Sequence, residues 1–122
     1  MHDITERGDI EVLIRKFYDK VNKDELIGDF FRHVDWEKHL PIMFDFWESV
    51  LFYTGNYSGN PMLAHQKLHA RMPMQPIHFG RWKDLFIATV KENFTGEKAE
   101  LAIARASAIA YLMEQKITQS KN

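Results

Sequence analysis

Apolar residues recur at helical spacing along almost the whole chain, and no segment of any length shows the two-residue period of a strand. Ile10, Leu13, Ile14, Phe17, Tyr18 and Val21 stand at i, i+3, i+4, i+7, i+8 and i+11, with Asp9 placed to cap the helix. After a polar break at Asn22-Lys23-Asp24, a shorter face follows in Leu26, Ile27, Phe30, Phe31 and Val34. Trp36, Leu40, Met43, Phe44, Trp47, Val50 and Leu51 form a wide stripe on a third helix. Pro41 lies early in it, removes one backbone donor, and should bend or restart the helix. Gly55-Asn56-Tyr57-Ser58-Gly59-Asn60-Pro61 is dense in turn formers, and Pro61 suits the first turn of a short helix to about His69. Ala70 to Gln75 reads as a second loop. Trp82, Leu85, Phe86, Thr89, Val90 and Phe94 mark the next long helix, and Thr95-Gly96-Glu97-Lys98 ends it. Ala102, Arg105, Ala106, Ile109, Leu112, Met113 and Lys116 mark the last. The expectation is an all-α fold of four long and two short helices, built as one domain over residues 1–122.

Composition removes several function classes. Sixteen basic and seventeen acidic side chains leave a formal charge of −1, so no basic field exists to hold a phosphate backbone. The absence of cysteine excludes disulfides, thiolate metal sites and a Cys nucleophile. No apolar run approaches membrane-spanning length, and Met1-His2-Asp3-Ile4-Thr5-Glu6 lacks the character of a signal peptide. These features lead to the expectation of a cytoplasmic protein with no nucleic-acid or membrane partner. Nine Phe, four Tyr and three Trp are many for a small domain, and rings in this number either fill a core or line a cavity for a flat apolar ligand.

The residues able to carry chemistry are few. His69 sits in a segment stopped by Pro73 and followed by the restart His78-Phe79-Gly80-Arg81-Trp82. This arrangement can present one imidazole at the wall of an apolar pocket, as an axial ligand to an iron macrocycle. His65 lies one turn away, so the two together also fit a zinc site, although nothing nearby supplies further ligands. The plainer alternative for both is a surface or satisfied core histidine. Tyr18 lies on the apolar face of the first helix, either as a core tyrosine or as a phenol donating into a dry pocket. His39 and Met43 form an i, i+4 pair with Trp47 one turn on, a pattern that core packing alone also produces. The Trp82 indole N–H needs a partner if buried, and Arg71 either faces solvent or meets a cofactor carboxylate. No nucleophile motif and no glycine-rich phosphate loop is present.

Taken in order, several fragments resemble the truncated haemoglobins of group III. They are Phe17-Tyr18, Trp36-Glu37-Lys38-His39-Leu40-Pro41, Phe46-Trp47, Gly55 through Met62, and His69 through Trp82. Each is weak alone, but their order and spacing are specific, and together they span about Ile10 to Lys116. Met72 and Met74 flank Pro73 where leucines are usual, and Lys83 follows Trp82 where an apolar residue is expected.

The resemblance implies a truncated globin fold, a two-over-two helical sandwich around haem b. It assigns His69 as the proximal iron ligand, Tyr18 and Trp82 as distal donors to a bound ligand, and His39 as a distal gate-like histidine. Phe31 would stack on the porphyrin and Met43 would floor the distal pocket. The implied function is binding of O2, NO, CO or peroxide. Three distal donors suit oxygen or peroxide activation or NO detoxification better than transport, as a nitric oxide dioxygenase or peroxidase-like activity served by an unidentified reductase. The competing expectation is a non-haem helical module, with a zinc site at His65 and His69 or with no cofactor and an interaction role.

Overall fold

The computed structural model describes residues 1–54 and 74–120, with side chains to residue 115. The expected loop over 55–61, the short helix to His69 and the Met72-Pro73 turn lie outside the described residues. Among the described residues there are four α-helices, α1 (Arg7–Lys23), α2 (Trp36–Phe52), α3 (Pro76–Asn93) and α4 (Glu97–Ser120), with a short 3-10 helix at Gly28–Phe31. Among the described residues there is no strand.

Helix α1 buries the stripe its spacing predicts: Ile10, Leu13, Ile14, Phe17, Tyr18 and Val21. It begins earlier than expected, with Glu6 at the N-cap position. Asp9 therefore lies inside the first turn, where its carboxylate accepts the Thr5 backbone N–H at 2.9 Å and the Thr5 hydroxyl at 3.0 Å. The chain then turns tightly into the 3-10 helix. A Cβ at Gly28 would come 3.0 Å from the Asn22 carbonyl oxygen and 3.1 Å from that of Val21, so this close approach favours glycine. Ile27, Phe30 and Phe31 are buried here, while Leu26 turns outward.

Pro41 does not restart α2, one of the two outcomes expected there; Trp36–Phe52 is a single helix with the proline inside it. Proline so near the N-terminus removes one ladder bond, to the Glu37 carbonyl, and leaves the following turns intact. The buried face carries Met43, Phe44, Trp47 and Leu51. Helix α3 starts at Pro76, six residues before Trp82, because proline at the first helical position sacrifices no intrahelical bond. His78 supports that start, its Nδ1 accepting the Gln75 backbone N–H at 2.8 Å. Along α4 a column of small residues, Ala99, Ala102, Ala106 and Ala110, is buried with Met113. Leu112, expected on that face, is instead half exposed at 50%.

Helix α1 packs on both α2 and α3, α3 packs on α4, and α2 meets α4. Rings hold the centre. Phe86 is fully buried, stacked on Trp47 at 4.7 Å between centroids and edge-on to Phe17 at 5.1 Å. None of the helices among the described residues is long and apolar enough to cross a membrane.

Candidate functional site

Three elements bring their aromatic side chains to one wall. Tyr18 comes from α1, Phe31 from the 3-10 helix, and Trp36 and His39 from the first turn of α2. The Tyr18 ring lies 4.8 Å from Trp36, 5.9 Å from His39 and 6.1 Å from Phe31, centroid to centroid. Phe31 stacks on Trp36 at 25° between planes. On its other side Tyr18 meets Phe17 at 4.7 Å, and Phe17 stands edge-on to Trp82 of α3 at 5.6 Å. Adjacent positions 17 and 18 can both be buried because α1 is covered by α2 on one side and α3 on the other.

Polar atoms on this wall are few and well defined. Tyr18 is buried, and burial pushes its phenol above the ordinary value of 10.0. The Trp82 side chain lies near the phenol and works against that shift, but burial wins. The hydroxyl therefore keeps its proton well above neutral pH. A protonated phenol has an O–H to give. His39 is half-buried, and burial moves its imidazole below the ordinary value of 6.5, which favours the neutral ring. The wall thus offers neutral donors on an apolar surface.

Of the residues expected at the site, Tyr18, Trp82, Phe31 and Met43 are all buried in one core cluster, with His39 half-buried against Tyr18. His69, its neighbour His65, and Arg71 lie outside the described residues. Two participants were not singled out by spacing. Trp36 read as part of a helical stripe and as the first residue of a motif fragment, with no site role, yet its ring contacts Tyr18, Phe31 and His39 together. Phe17 links the Tyr18 and Trp82 rings. Both residues stood in the fragments that carry the resemblance, which was the signal for them.

Comparison with known proteins identifies the family. The bacterial-like globin family matches residues 3–117. The group 3 truncated hemoglobin ctb of Campylobacter jejuni subsp. jejuni is 30% identical over 107 residues, covering 83% of this chain and 82% of the relative. The crystal structure of a group III truncated hemoglobin from Campylobacter jejuni superposes with a TM-score of 0.83 at 27% identity, over 96% of this chain and 95% of that one.

Proposed function

Because this chain belongs to the bacterial-like globins, and within them to the truncated haemoglobins of group III, we propose that it binds haem b through His69 and holds diatomic ligands against the wall formed by Tyr18, Trp82 and His39. Haem binding follows from the family; the ligand set, the iron ligand and the roles below are our assignment. The alternative of a zinc or cofactor-free helical module is not favoured by this membership.

The observation that carries the assignment is the buried Tyr18 phenol set among the rings of Phe17, Phe31 and Trp36. That donor set fits a haem pocket. A flat apolar macrocycle gains from contact with Phe31 and Met43, and an uncharged wall imposes no cost of burying a charge beside it. By motif position His69 would hold the iron and Arg71 would meet a propionate. When bound, haem supplies an iron atom able to take O2, NO, CO or peroxide.

Tyr18 donates from a dry site, so its bond to a ligand carrying partial negative charge is charge-assisted and stronger than the same bond in water. Trp82, buried on α3, would be a second donor to that ligand through its indole N–H. His39, neutral and half exposed, sits between that donor and solvent, the place of a gate. Such a pocket releases oxygen slowly, which suits oxygen or peroxide activation or conversion of nitric oxide rather than transport. Electrons for turnover would come from a reductase.

The test is the absorption spectrum of protein expressed with ample haem, reduced and then exposed to carbon monoxide. An intense Soret band, shifting on CO with a histidine-ligated signature, is expected. It should persist in His65→Gly and be lost or altered in His69→Gly. The opposite result would move the proximal role to His65, and no haem uptake even on reconstitution would remove the assignment.

A further inference from the structure

Asp24 ends α1, and its two carboxylate oxygens do separate things. Oδ1 accepts the backbone N–H groups of Leu26 at 2.9 Å and Ile27 at 3.1 Å, fixing the turn that leads into the 3-10 helix. Oδ2 accepts both Nε and Nη2 of Arg81 in α3, each at 2.7 Å. The Asp24 side chain is only 5% exposed. Burial raises its carboxyl, yet Arg81 and the two amides outweigh that and hold it below the ordinary carboxylate range. Exposed ion pairs contribute little to a fold, but a buried carboxylate with four donors is a different object.

What this carboxylate joins is the point. Tyr18 is on α1, Phe31 on the 3-10 helix, and Trp82 is the residue after Arg81 on α3. A second contact seals the same corner: Phe30 packs on His78, one turn before Arg81, at 4.7 Å between centroids. A hydrogen bond weakens steeply once distance or angle leaves a narrow range. Tyr18 and Trp82 both pack on Phe17, so the hydrogen bonds either can offer a ligand depend on where α1 and α3 sit relative to each other.

We propose that Asp24 and Arg81 are positioning residues, whose ion pair sets the spacing of the Tyr18 phenol and the Trp82 indole N–H. The proposal deepens the distal role assigned above and rests on it for its functional meaning. Arg81→Met keeps the side-chain stem and the amide bonds to Asp24, removing only the link between helices. Asp24→Asn keeps the shape and removes the charge. Arg81→Lys keeps one donor.

Two signals decide it. The first is hydrogen exchange of the Trp82 indole N–H in protein labelled with 15N-tryptophan, its resonance assigned by loss in Trp82→Phe. Exchange should speed by about fivefold or more in Arg81→Met and Asp24→Asn, the loss expected for a partly exposed pair, and recover most of the way in Arg81→Lys. The second is the C–O stretch of the haem–CO protein, which should shift toward a less hydrogen-bonded conformer in the first two variants and return in the third. Unchanged exchange and an unchanged stretch, with only a lower melting temperature, would reduce the pair to a structural tie and overturn the proposal. Should the protein take up no haem, indole exchange still reports on the clamp, so the two readings fail separately.

Discussion

The imidazole of His39 stands edge-on to the Tyr18 ring, with 5.9 Å between centroids and 77° between planes. A buried donor and a half-buried titratable ring from different helices thereby share one contact, with Trp36 touching both.

Removing the Tyr18 hydroxyl alone should weaken ligand retention without disturbing the packing. Tyr18→Phe keeps the ring contacts with Phe17, Phe31 and Trp36. Oxygen dissociation from the haem-loaded protein should become about tenfold faster, the loss expected for one charge-assisted bond in a dry site. Stopped-flow rates within twofold of the native protein would take Tyr18 out of the distal role.

Acid should destabilise the fold in two stages, of opposite group but the same direction. His39 and His78 both have imidazoles held below 6.5 by burial. As pH falls below 6.5 the unfolded chain binds those protons first, so stability is full above that value and declines through the folded-state titrations. Asp3, Asp9 and Asp24 are held below 3.8, so their contribution is present above that value and lost as pH falls through their lower folded values. His39→Gln should flatten part of the upper stage and leave the lower one unchanged. Melting temperatures measured from pH 8 to pH 3 will show this, and an unaltered upper stage would mean that His39 does not titrate as a buried ring.

Gly96 and Asp3 should tolerate substitution poorly, and for one shared reason. Gly96 holds φ at +132°, and its carbonyl accepts the Glu100 N–H at 3.0 Å, so it opens α4 without a side chain to cap the helix. Asp3 supplies the missing acceptors from the other end of the chain, taking the Lys98 and Ala99 N–H groups at 2.9 Å each. A Cβ at Gly96 would come 2.6 Å from Asp3 Cγ. Asp3→Ala should cost about 1 kcal/mol as a lost cap. Gly96→Ala should cost about 1–3 kcal/mol through backbone strain, with the Asp3 contact broken as well. Urea titrations of both variants and of the double variant should reveal strong non-additivity, since the two lesions act on one cap.

Phe86 should be the most costly ring to truncate. It is fully buried, stacks on Trp47, and meets Phe17 and Trp82. Phe86→Ala should lose about 3–5 kcal/mol, whereas Phe86→Leu should lose markedly less because it leaves a smaller cavity. Equal losses in equilibrium unfolding would show that ring geometry, not volume, dominates here.

Much of this was legible in the chain and some was not. The helical period located α1 and α2 and the break at Gly96, and the order of motifs singled out Tyr18, Phe31 and His39, whose rings the fold brings into contact. A restart at Pro41 was expected and is absent, because a proline near a helix start loses only one bond, and Leu112 is exposed because alanines already cover the buried side of α4. Trp36 carried no site role in the sequence, since its importance lies in three contacts with rings on other elements or other turns.

Side-chain periodicity and turn chemistry act over a few residues, so the sequence by itself determined the helices, their buried faces and the all-α class. Only the tertiary structure decided that Asp24 clamps Arg81, that Asp3 caps the helix after Gly96, and that Tyr18 and Trp82 meet across Phe17. Each of these joins residues far apart in the chain. Their worth depends on distances and burial that exist only once the helices have packed.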